Sequence, residues 1–191
     1  LGGSNAFAQC NFNAWLPANG NTGGGAFSNG ASTPTPTATL TVGSPSTTPA
    51  NDVRRYNGRC GLRATGPTNY VQDGSPSETA TFRARFYVRA SGVTGGNATV
   101  YQALNDNGTP QQVIGVAFNP TNNRFVVSTG TGGGSAEFGP VTAGSWYSVE
   151  LNWATTPSNS LTTTIRGAGA TTDVPVAAGA NPITNFGTIT G

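Results

Sequence analysis

Histidine, methionine and lysine are all missing from this chain. Without an imidazole there is no Ser-His-Asp triad, no histidine metal ligand and no imidazole general base. Cys10 and Cys60 are the only cysteines, too few for a thiolate zinc or iron–sulfur centre. Charge is scarce as well: nine Arg and seven Asp plus Glu make up 8% of 191 residues, against about 25% in an average soluble domain. The formal net charge of +2 is too small to drive nucleic-acid binding by counterion release. No run approaches the ~20 apolar residues of a membrane-spanning helix. The expectation is therefore no metal, no cofactor, no nucleic-acid partner and no membrane span.

What the chain has instead is Gly (28), Pro (13) and a large excess of Thr and Asn. Leu, Ile, Val and Phe are few, but disorder also requires a high net charge, which is lacking here. Apolar residues gather in short segments, as a thin β core needs. Length and composition predict one domain over residues 1–191, with a loop-rich N-terminal arm at 1–36 and a sandwich over 37–191. In an exported protein, Cys10 and Cys60 would form one disulfide; in a cytosolic one they would be two buried thiols. The lysine-free Thr/Gly/Asn surface favours export, hence an extracellular or cell-surface location. Closing that loop would contribute ~4 kcal/mol in the chain-entropy treatment.

Helical apolar spacing is absent throughout, and period-two alternation takes its place. Residues 37–42 predict a strand with Ala38, Leu40 and Val42 on one side, and residues 60–64 another with Cys60, Leu62 and Ala64 inward. The clearest alternation runs over residues 79–90. There Ala80, Phe82, Ala84, Phe86, Val88 and Ala90 share one face, and Thr79, Thr81, Arg83, Arg85, Tyr87 and Arg89 the other. Further strands are predicted at 99–104, 112–118, 124–128, 146–153 and 161–166. Between them stand the turn signals Asn107-Gly108, Asn119-Pro120 with Asn122-Asn123, Gly132-Gly133-Gly134 and Pro157-Ser158-Asn159. Short strands at this spacing predict an all-β fold, an antiparallel β-sandwich or jelly roll.

Several of these segments together carry a family likeness. They are Tyr56-Asn57-Gly58-Arg59-Cys60-Gly61-Leu62-Arg63, the strand at 82–88, the hairpin at 100–118, Trp146-Tyr147-Ser148-Val149-Glu150-Leu151-Asn152-Trp153, and residues 161–167. Over about residues 56–167 the chain resembles laminin-G/concanavalin-like sandwich domains of secreted bacterial proteins. The resemblance implies a sandwich fold and admits lectins, glycanases, adhesion modules and structural domains, so it does not choose a function. Such domains usually end on one more apolar strand. Residues 182–191 offer only Ile183, Phe186 and Ile189, so that strand is either degenerate or supplied from elsewhere, for example by a neighbouring subunit.

Glycoside hydrolysis needs two carboxylates about 5–10 Å apart across a sugar. The acids here are Asp52, Asp73, Glu78, Asp106, Glu137, Glu150 and Asp173, and no two fall within four residues of each other. Glu150 is the best-placed single acid, on an outward face with Trp146, Ser148 and Asn152, while Tyr147, Val149, Leu151 and Trp153 point inward. No catalytic site is expected. Arg83, Arg85 and Arg89 with Tyr87 between them form a basic stripe. It reads either as a face that grips acidic glycans through guanidinium forks and ring stacking, or as plain cross-strand pairing with Glu150 or Glu78. Trp146 is the one tryptophan with an expected outward role, either on a sugar or under a covering loop.

Two function classes follow. The first is a non-catalytic extracellular structural protein whose partners are other copies of itself, joined by strand addition into a filament, sheath or adhesive layer. The second is a carbohydrate-binding, lectin-like module whose ligand face holds Arg83, Arg85, Tyr87, Arg89, Trp146 and Glu150. A glycan hydrolase is the least favoured.

Overall fold

The alternation at residues 79–90 does produce a strand, and its parity places the core. The computed structural model describes residues 28–29, 40–43, 56, 61–65, 71–72, 81–105, 111–130, 133–154 and 160–168. These are all-β, with antiparallel sheets and no helix. Two compact units divide the chain, Leu1–Ser77 and Glu78–Gly191.

In the first unit, β1 (Ser28–Asn29) pairs antiparallel with β4 (Val71–Gln72), and β2 (Leu40–Gly43) with β3 (Gly61–Ala64). Neither β1 nor β4 has a sequence signal, since two residues are too short to alternate. Ala64, expected to face inward, is exposed. It is the last residue of β3, paired with Leu40 at the end of the ladder, and the next residue, Thr65, is exposed as well. Cys10, Cys60 and the arm at 1–36, apart from β1, lie outside the described residues. So do Glu78 and the turns at Asn107-Gly108 and Pro157-Ser158-Asn159.

The second unit holds two sheets. One has the order β11–β10–β5, made of β5 (Thr81–Val88), β10 (Trp146–Ala154) and β11 (Ser160–Ala168). The other is β6 (Ala98–Asn105), β7 (Gln111–Asn119), β8 (Arg124–Thr129) and β9 (Ser135–Phe138), in that order. The predicted strands recur with ends moved by one or two residues, and β9 is new. Four residues beside a glycine run carry too little pattern to stand out.

Side chains from both sheets form one apolar cluster. Tyr147, Val149, Leu151 and Trp153 of β10 are buried, as their parity predicts, with Leu161 and Ile165 from β11. Ile114, Val116, Phe118, Phe125, Val127, Ala136 and Phe138 supply the four-stranded sheet's share. The Phe125 ring meets Tyr147 edge-on at 5.6 Å between centroids, and Phe86 stacks on Tyr101 at 5.1 Å. Both pairs bridge the two sheets. Burying a side chain of this size is worth about 1.5–3 kcal/mol, which offsets the entropy lost in ordering a glycine-rich chain.

Two register shifts between β6 and β7 adapt the pattern. One leaves Val113 as an extra residue, so that Val113 and Ile114 are both buried although consecutive. A bulge breaks the strict alternation locally in this way. The bulge is closed by the Gly130 N–H, which donates to the Val113 carbonyl at 3.0 Å. Next to the Asn123 turn, the Val141 N–H donates to the Asn123 carbonyl at 2.8 Å. The Thr142 N–H donates to the Tyr147 hydroxyl at 2.7 Å, so the run into β10 is pinned at both ends.

Candidate ligand face

Because Phe82, Ala84, Phe86 and Val88 turn toward the core, Arg83, Arg85 and Tyr87 must project from the opposite face of the three-stranded sheet. All three are exposed. β10 lies beside β5 in a register that places Asn152 opposite Arg83, Glu150 opposite Arg85 and Ser148 opposite Tyr87. On its other side β10 places Asn152, Glu150 and Ser148 opposite Thr162, Thr164 and Arg166. The outward face is thus three rows of three: Arg83, Asn152, Thr162; then Arg85, Glu150, Thr164; then Tyr87, Ser148, Arg166. No aliphatic side chain interrupts it.

The middle row is neutralised internally. Arg85 Nε lies 3.2 Å from Glu150 Oε1. Arg85 Nη2 also donates to the Tyr87 hydroxyl at 3.1 Å, and its guanidinium carbon is 5.7 Å from the Tyr87 ring centroid. Arg85 is 58% exposed and Glu150 33%, so water screens the pair and its net worth stays below about 1 kcal/mol. The cross-strand pairing of the stripe with Glu150 is therefore realised, but for one arginine of three.

The remaining cations are not matched by acids. Arg83 and Arg166 are exposed, and among the described residues no hydrogen bond or ion pair engages either. Arg89 lies just past β5 and donates from Nε to the Gly144 carbonyl at 2.6 Å, while the Gly144 N–H donates to the Ala90 carbonyl. Gly144 has φ +80°, which a residue with a Cβ rarely adopts, so the turn that receives Arg89 depends on this glycine. Trp146 opens β10 half-buried at the same end of the sheet. Ser148, on the outward side by parity, is nonetheless 2% exposed. Its small side chain stands between Tyr87 and Arg166 in cross-strand register, and both are far larger.

The expected face therefore comes together from Arg83, Arg85, Tyr87 and Glu150, with Arg89 and Trp146 at one end. Arg166, Asn152 and Thr162 complete it and are absent from the sequence-based set. Asn152 already reads as outward beside Glu150, and the signal for the other two was available in the alternation of residues 161–166, where Leu161 and Ile165 face inward and Thr162, Thr164 and Arg166 outward. The second described carboxylate, Glu137, faces outward from the four-stranded sheet, because its neighbours Ala136 and Phe138 are buried. It lies 3.6 Å from Arg124 Nε and accepts from Asn122 Nδ2. Glu137 and Glu150 thus lie on outward faces of different sheets and cannot face one another across a sugar. Among the described residues no three metal-ligating side chains cluster, and no helix is long and apolar enough to cross a membrane. Neither a protein-family model, nor a curated protein, nor a solved structure matches this chain.

Proposed function

We propose that the second unit is a β-sandwich of the laminin-G/concanavalin kind that acts outside the cell as a non-catalytic polysaccharide-binding module. The observation that supports this most is the outward face of the three-stranded sheet: Arg83 and Arg166, which no ion pair engages among the described residues, stand either side of the Arg85–Glu150 pair with Tyr87, Asn152 and Thr162, and Arg89 lies at one end. Guanidinium forks grip carboxylate or sulfate groups, hydroxyl and amide side chains replace water on sugar hydroxyls, and a tyrosine ring stacks on a pyranose face. Titration calorimetry against acidic and neutral polysaccharides tests the reading. Saturable heat with an acidic polysaccharide is the expected result, and flat titrations with every one would end it.

A second reading is a self-associating structural subunit joined by strand addition. What favours it is β11, a nine-residue strand paired on one side only among the described residues. Electron microscopy of the purified chain should then show polymers. Single particles at every concentration would exclude it.

A further inference from the structure

The ligand face has a charge pattern as well as a sign. Its first row carries Arg83 and its third row Arg166, on opposite edge strands of the sheet, and among the described residues no acid pairs with either. Between them the Arg85–Glu150 pair makes the middle row neutral. With a rise of about 3.4 Å per residue and strands about 4.8 Å apart, the Arg83 and Arg166 Cα positions are separated diagonally by roughly 17 Å. A polymer crossing along that diagonal meets a cation, then the Glu150 carboxylate with Asn152 and Thr164 beside it, then a second cation.

Over the middle row an anionic group finds no net charge to offset its lost hydration, because the Arg85 guanidinium is already held by Glu150, and the carboxylate beside it opposes binding. A neutral sugar there would instead donate its hydroxyls to the Glu150 carboxylate and accept from the Asn152 amide. We infer that this face, if it is the polysaccharide-binding surface proposed above, selects an acidic polysaccharide whose anionic sugars are separated by neutral ones over one charged at every sugar. Glu150 is then the specificity element, and Arg83 and Arg166 are the two anion-binding groups. A nucleic acid fits the pattern less well, since its backbone carries a phosphate at every step and would place one on Glu150.

The test is calorimetry on the full chain with oligosaccharides of matched length: hyaluronan, in which uronate alternates with a neutral sugar, oligogalacturonate, with a carboxylate on every sugar, and neutral dextran. Oligouridylate is the nucleic-acid control. The wild type should bind hyaluronan more tightly than oligogalacturonate. E150Q should narrow or reverse that preference by strengthening oligogalacturonate, because it removes the like charge and releases Arg85. R83Q and R166Q should each weaken hyaluronan roughly tenfold, the loss of one charge-assisted contact. R124Q, on the other sheet, should leave binding unchanged and serves as the control for folding and total charge.

Equal binding of the two acidic oligosaccharides, or a preference for oligogalacturonate in the wild type, overturns the selectivity and leaves the polysaccharide reading standing. Binding of dextran alone also removes the role given to the arginines. Tighter binding of oligouridylate than of any sugar overturns the inference in favour of nucleic acid. Flat titrations throughout end both this inference and the reading beneath it.

Discussion

Arg85 and Glu150 are direct cross-strand partners on the outward face of the three-stranded sheet, with Nε and Oε1 3.2 Å apart. The two residues belong to β5 and β10, between which the chain builds the whole four-stranded sheet. Their pairing fixes which row of the face is neutral and which rows remain cationic.

The pair should matter little to stability. R85A and E150A should each shift the unfolding free energy by less than about 1 kcal/mol, and a double-mutant cycle in urea should give a coupling of the same small size. A coupling of several kcal/mol would mean that the pair is far better shielded from water than its exposure indicates.

Core position should dominate. L151A empties a site that is fully buried and should cost about 2–5 kcal/mol. L104A removes a side chain that is 48% exposed, on an edge strand beyond a register shift, and should cost less than about 0.5 kcal/mol. Equal losses in denaturant midpoint would contradict the inward and outward assignment of these strands.

Gly130 closes the Val113 bulge, and a Cβ at this position would collide with the Gln112 backbone carbonyl, which cannot swing away as a side chain would. G130A should therefore destabilise by about 1–3 kcal/mol. At Gly134 the same added methyl meets nothing within 4 Å, and G134A should stay within about 0.5 kcal/mol of the wild type. Thermal denaturation of the two variants separates a required glycine from an incidental one.

Thr163 lies on the inward side of β11, between Leu161 and Ile165, and among the described residues its buried Oγ1 has no hydrogen-bond partner. Removing an unsatisfied buried hydroxyl while keeping the β-branched shape relieves a desolvation cost. T163V should raise stability by about 1 kcal/mol, read as a higher urea midpoint at unchanged slope. A loss of stability would show that the hydroxyl has a partner in solution.

Local chemistry determined a good deal here. Alternation alone placed Phe82, Phe86, Val149, Leu151 and Trp153 toward a core and Arg83, Arg85 and Glu150 away from it, because side chains on a strand point to opposite faces with period two. Proline and asparagine likewise marked the turn at residues 120–123, where Asn123 takes φ 53°. The two-residue strands β1 and β4 are too short to alternate, the four residues of β9 do not stand out beside a glycine run, and bulges that bury Val113 beside Ile114 follow no period. Strand neighbourhood lies further out of reach. The sequence shows an arginine stripe on one strand and a glutamate on another; only the tertiary structure decides that they share a sheet and that Glu150 takes Arg85 rather than Arg83. It also brings Arg166 into the same face from the far edge. Register between distant strands depends on how the two inward faces pack together, and that packing is a property of the whole core rather than of any segment.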